Sequence, residues 1–173
     1  QMISVKFEQV AIDSLEDDLK LLDANKVFLV TGKKSYTNSG AKEIIENLEA
    51  NFEFIRFKDF EDNPNILDVE KGVQFFKENN CDCILAIGGG SSIDMAKLIK
   101  FFVPKIKPFI GKFNIQLLSN ENIPLIAIPT TAGTGSEATQ FAVLYVGLDK
   151  YSISDILLLP NHVAIISKLH FSQ

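Results

Sequence analysis

The chain has 173 residues, 46% of them hydrophobic and 23% charged, a balance that suits one globular unit with a sizeable core. A formal net charge of −5, with no cluster of Lys or Arg among interleaved aromatics, excludes a phosphate-backbone-binding surface, so no nucleic-acid partner is expected. No apolar run approaches the ~20 residues that span a bilayer, and Gln1 to Lys6 lacks the charged start of a secretory signal; no membrane partner and a cytoplasmic location are expected.

Short apolar runs alternate with longer amphipathic segments, as strands and helices do in a parallel α/β sheet. Ser14 and Asp17 predict a capping-box-like start to a helix reaching Leu22. Val27 to Thr31 reads as a buried strand ended by Gly32. Ala41, Ile44, Ile45 and Leu48 recur at helical spacing, and Phe52 to Phe57 alternates in part like a strand. A loop with Asn63 and Pro64 follows, then a helix carried by Val69, Val73 and Phe76 towards Asn79. Cys83 to Ile87 reads as the next buried strand, and a helix from Ser92 to Phe102 ends before Pro104.

Residues 103–122 read as a loop, followed by a strand over Leu125 to Ile128 ended by Pro129. Phe141 to Val146 and Tyr151 to Ile153 flank Gly147-Leu148-Asp149 as a hairpin, and Val163 to Ile166 reads as the last strand. Cys81 and Cys83 are too close for an easy disulfide and have no further Cys or His at metal-ligand spacing, so they are expected as reduced thiols.

Two loops carry the chemistry. Gly88-Gly89-Gly90-Ser91-Ser92 follows a strand and opens a helix, where unpaired backbone N–H groups and the helix dipole favour an anion. It fits neither the G-x-G-x-x-G fingerprint nor the P-loop pattern, and its plain alternative is a tight turn that needs glycine for conformation alone. The second, Pro129-Thr130-Thr131-Ala132-Gly133-Thr134-Gly135-Ser136-Glu137, also follows a strand; its plain alternative is a polar loop whose hydroxyls bond local backbone. Such loops gather at the carboxyl edge of an open parallel sheet, where ligands bind, so the two together imply one ligand between them.

The runs Gly88 to Lys97 and Ile128 to Thr139 are similar, almost residue for residue and at the right separation, to the two signature segments of the iron-containing (group III) alcohol dehydrogenase family, and the likeness extends over nearly the whole chain. The resemblance implies a Rossmann-like α/β fold, a parallel sheet with helices on both faces, of the kind found in the N-terminal domain of dehydroquinate synthase. It also implies an NAD(P)-binding domain over residues 1–173, with the helical domain that holds a divalent metal, iron or zinc, absent. The reaction implied is hydride transfer between the nicotinamide and a small primary alcohol or aldehyde, with dimerisation through outer strands that would involve Ile3 to Phe7.

Carried over by position, Gly88, Gly89, Gly90 and Ser91 form the pyrophosphate loop, with Asp94 near the cofactor. Thr130, Thr131 and Thr134 line the adenosine and ribose side, Asn63 matches the family's Asn-Pro position, Lys150 matches a ribose-reaching lysine, and Phe141 falls near the nicotinamide end. Gly32 is a departure: NAD-preferring members often carry an aspartate there, so glycine beside Lys33 and Lys34 favours NADP over NAD.

No catalytic or metal-ligating residue is implied within the chain. His162 and His170 lack helical His-x-x-x-His spacing and read as surface or loop residues, and Ser167-Lys168 stands where the family usually has Asp-Pro. The isolated chain is therefore expected to show little or no turnover. A non-catalytic nucleotide-binding or assembly module is the alternative reading. A lyase of the dehydroquinate synthase type shares the glycine loop, but the threonine-rich segment fits alcohol dehydrogenases better.

Overall fold

The computed structural model describes residues 13–104, 122–130, 139–154 and 160, together with the backbone of 162–163. Helix α1 covers 13–21. The order that follows is β1 (Lys26–Thr31), α2 (Ser35–Asn38), α3 (Ala41–Leu48), β2 (Glu53–Phe57), α4 (Ile66–Glu78), β3 (Cys83–Gly88), α5 (Gly90–Phe102), β4 (Leu125–Pro129), β5 (Phe141–Val146), β6 (Asp149–Ser154) and β7 (His162–Val163).

Five strands pair in parallel in the order β2-β1-β3-β4-β7, while β5 and β6 form a separate antiparallel hairpin. Strands β3 and β4 are buried at every residue and β1 at all but its first. Such continuous apolar runs are what a parallel sheet covered on both faces requires. Successive side chains point to opposite faces, so each strand feeds two cores. Phe28, Val30, Ile84, Ala86, Leu125 and Ala127 pack with α4, α5 and the hairpin residues Ala142 and Leu144. Val27, Leu29, Cys83, Leu85, Ile126 and Ile128 pack against Leu15 and Leu19 of α1 and the buried stripe of α3. The parallel sheet with helices on both faces is thus present.

Several boundaries differ from the sequence reading. Helix α1 already includes residue 13, so Ser14 lies inside it rather than capping it. Helix α4 begins at Ile66, three residues before Val69, because Asn65 caps it: its Oδ1 accepts from the Asp68 N–H at 2.9 Å, and its Nδ2 donates to the Asp68 carboxylate at 2.9 Å. Helix α5 starts at Gly90 rather than Ser92, since burial of Ile93, Met95 and Ala96 outweighs the poor helix propensity of glycine. Helix α2, only four residues long, has no periodicity to betray it.

The hairpin turn is the pair Gly147-Leu148, with Asp149 opening β6. His162 lies on strand β7 rather than in a loop, its backbone paired with Ile126. Of the expected last strand only Val163 is described, and the expected strand at Ile3 to Phe7 lies outside the described residues, as does most of the loop over 103–122. Both cysteines are free and buried, and burial pushes each thiol up to about 12.

Candidate functional site

From β1 the chain crosses to β2 on one side and returns to β3 on the other, so a crevice opens outside the carboxyl ends of β1 and β3. The registers Thr31 with Ile87 and Gly88 with Pro129 place Gly32, Gly88 and Thr130 side by side at that edge. The Thr130 N–H donates to the Gly88 carbonyl at 2.9 Å. A Cβ at Gly88 would lie 3.7 Å from the Gly32 nitrogen, but only 2.6 Å from Ser92 Oγ and 2.8 Å from Ser92 Cβ. Glycine is needed at 88 because β3 runs straight into α5, and that contact is internal to the protein.

The groups left for a ligand are on α5 and β4. Gly89 occupies the N-cap of the thirteen-residue α5 and provides no side-chain cap, so the first N–H groups of the helix are presented at the crevice. The Ser91 hydroxyl is not among them: it donates to the Asp62 carbonyl, leaving the Ser91 backbone N–H as that residue's donor. That contact also brings the loop bearing Asn63, itself exposed, against the glycine loop. Thr130 is 1% exposed and its Oγ1 has no hydrogen-bond partner among the described residues. A buried hydroxyl left unmatched beside a helix N-terminus fits a polar ligand that supplies the missing bond.

The hairpin is fastened to this edge at several points. Val143 N–H donates to Asp94 Oδ2 at 3.3 Å, and Tyr145 N–H donates to the Pro64 carbonyl at 2.8 Å. Lys97, fully buried on α5, donates through Nζ to Thr139 Oγ1 at 2.9 Å and to the Phe141 carbonyl at 3.1 Å. Asp94 therefore acts on the hairpin's backbone, and Lys97 holds the residues that follow the threonine-rich loop. Phe141 is 51% exposed at the start of β5, and Lys150 is exposed opposite Tyr145, at the margin where Pro64 docks. Thr131 and Thr134 lie outside the described residues.

Two residues that sequence reasoning passed over take part. Lys97 was detectable as a charge on an otherwise apolar face of α5. Arg56 on β2 donates from Nε to Thr31 Oγ1 at 2.8 Å and from Nη2 to the Gly32 carbonyl at 3.2 Å, and its guanidinium lies 4.0 Å from the Tyr36 ring centroid. Burial lowers the pKa of Arg56 and raises that of Tyr36. No group of three His, Cys, Asp or Glu side chains suited to a metal occurs among the described residues.

The family model of iron-containing alcohol dehydrogenases matches residues 4–167. The chain belongs to that family. Among curated relatives, the choline dehydrogenase of Bacillus subtilis is 38% identical over 138 residues, covering 78% of this chain and 34% of that enzyme. The NAD-dependent methanol dehydrogenase of Bacillus methanolicus is 34% identical over 138 residues, covering 78% of this chain and 35% of the enzyme. In the solved structure of a 1,3-propanediol oxidoreductase, the matched part superposes with a TM-score of 0.77 at 30% identity, covering 89% of this chain and 41% of the other. The chain thus spans about a third of the length of the curated relatives it matches. No helix among the described residues is long and apolar enough to cross a membrane.

Proposed function

We propose that this chain is the NAD(P)-binding domain of a metal-dependent alcohol dehydrogenase or aldehyde reductase, with NADP favoured over NAD. The observation that carries the reading is the meeting of Gly32, the uncapped start of α5 and the orphaned Thr130 hydroxyl at one sheet edge. The α5 N–H groups hold the pyrophosphate, whose charge the helix dipole favours. Thr130 donates or accepts the bond its burial leaves unmade. Asp94 and Lys97 keep the hairpin, and with it Phe141 and Lys150, in fixed register with the crevice.

A bound nicotinamide would supply hydride exchange with a small primary alcohol or aldehyde. Iron or zinc finds no ligand set among the described residues. Metal binding and most substrate contacts are assigned to the part of the relatives' length that this chain does not match. Glycine at 32, where a carboxylate would repel a 2′-phosphate, supports the preference for NADP, as do the exposed ammonium groups of Lys33 and Lys34.

Titration followed by cofactor fluorescence tests the reading directly, since the chain has no tryptophan to interfere. Saturable binding, tighter for NADPH than for NADH, is expected. If the folded chain binds neither, the proposal fails; tighter NADH binding would overturn only the coenzyme preference. With Fe²⁺ or Zn²⁺ added, turnover of alcohols should stay at background, and robust rates would remove the metal chemistry from the unmatched part.

A further inference from the structure

Arg56 is the only arginine in a chain that uses lysine at all its other cationic positions. Its placement is specific. Thr31 Oγ1, the Gly32 carbonyl and the face of Tyr36 fix the guanidinium in position and in plane at the Gly32 end of the crevice. Those contacts occupy two of its five N–H donors. The other three have no acceptor among the described residues, and Nη1, which carries two of them, is not among the buried, unpartnered atoms.

No carboxylate among the described residues pairs with Arg56, and the one group that counters its desolvation is the Tyr36 phenol. A half-buried cation without a counter-charge is costly in the free protein, and an incoming anion offsets that cost. Lys33 and Lys34 are a different resource: exposed ammonium groups on flexible stems, each a point charge without a fork. A phosphate dianion beside Gly32 would meet a preset planar donor edge from Arg56 and only diffuse attraction from the lysines.

We propose that Arg56 receives the 2′-phosphate of NADP and is the residue that decides coenzyme preference, while glycine at 32 keeps the repelling carboxylate of an acidic side chain away from it. This rests on the nucleotide-binding reading given above. Gly32 is then permissive and Arg56 selective.

The test compares the chain with its Arg56→Gln, Arg56→Lys and Lys33→Ala/Lys34→Ala variants, titrated with NADPH and NADH. Arg56→Gln should weaken NADPH about 30-fold, the loss expected for charge-assisted hydrogen bonds, with NADH changed by less than about two-fold. Arg56→Lys should fall between, keeping charge without the fork, and the double lysine variant should lose less than Arg56→Gln. Equal weakening of both cofactors would show that Arg56 only props up Thr31 and Gly32, and would overturn the inference. So would unchanged NADPH affinity, or a larger loss in the lysine variant.

Because Arg56 is the sole arginine, phenylglyoxal labelling of the unmutated chain gives a readout independent of variant folding. Peptide mapping should show Arg56 protected by 2′,5′-ADP and not by 5′-AMP; equal protection by both would overturn the inference. A chain that binds neither cofactor refutes the nucleotide reading itself, whereas NADPH binding indifferent to Arg56 refutes this inference alone.

Discussion

Gly88→Ala probes how far the β3–α5 turn depends on the absence of a side chain. The new Cβ would sit 2.6 Å from Ser92 Oγ and 2.8 Å from Ser92 Cβ. The hydroxyl can rotate away, but the Cβ is fixed to α5, whose neighbouring residues Ile93, Met95 and Ala96 are fully buried. Either the helix must withdraw by several tenths of an ångström or the end of β3 must twist. Overpacking of this kind costs about 2 kcal/mol. Twisting the strand end also strains the bond from Thr130 N–H to the Gly88 carbonyl, adding about 1 kcal/mol. For a domain of this size, 2–3 kcal/mol lowers Tm by about 5–10 °C. Thermal and urea unfolding should show that loss in Gly88→Ala. The variant Gly88→Ala/Ser92→Gly should recover the steric part of it but not the strain of a side chain at φ +158°, measured against Ser92→Gly alone, which carries its own helix-glycine cost of about 1 kcal/mol. A wild-type Tm in Gly88→Ala, or strictly additive losses in the double variant, would refute the reasoning.

Thr130→Val should raise stability by about 1 kcal/mol without cofactor, because a buried hydroxyl lacking a partner is removed, and should weaken NADPH binding. Denaturation and titration of the same variant check both, and a loss of stability would mean that the hydroxyl is already satisfied. Lys100, buried on α5 and donating to Asn122 and the Ile123 carbonyl, has its pKa lowered by burial to about 8. From there to about 10.5 the unfolded chain holds a proton that the folded chain has lost, so stability rises with pH, by about 1 kcal/mol per unit. Above pH 9 the unfolded thiols of Cys81 and Cys83 ionise while the folded ones, at about 12, do not, and the trend reverses. Between pH 8 and pH 9 the thiols already offset most of the rise, so the test is the stability difference between the parent chain and Lys100→Met, which should shift in the parent's favour by about 1 kcal/mol over that interval of urea midpoints; an unchanged difference would contradict it.

Elements governed by local pattern were the easiest to read. The apolar runs of β1, β3 and β4 and the stripe of α3 depend on which neighbours in sequence are hydrophobic, and α3 matches its expected limits at Ala41 and Leu48. The glycine loop and Thr130 were legible as donor-rich strand ends for the same reason. Boundaries set by competition were not: α4 gains residues through the Asn65 cap, and α5 starts within its glycines because its packed face outweighs their propensity. Helix α2 was too short to show a period.

Arg56 and Lys97 were illegible for another reason. Arg56 meets Thr31 and Gly32 from 25 and 24 residues away, and Lys97 reaches residues 42 and 44 positions further on. Nothing local shows which groups such charges will meet, even where, as for Lys97, the charge stands out on an apolar helix face. The sequence by itself determined the layered α/β order and the two donor-rich loops at strand ends, because hydrophobic period, glycine and hydroxyl content are written into consecutive residues. Only the tertiary structure decided that Gly88 serves the strand-to-helix turn, that Ser91's hydroxyl is spent on Asp62, that Thr130 is left unmatched, and that the lone arginine stands beside Gly32. Those facts arise where strands separated in sequence end side by side, and only the folded sheet sets which groups meet there.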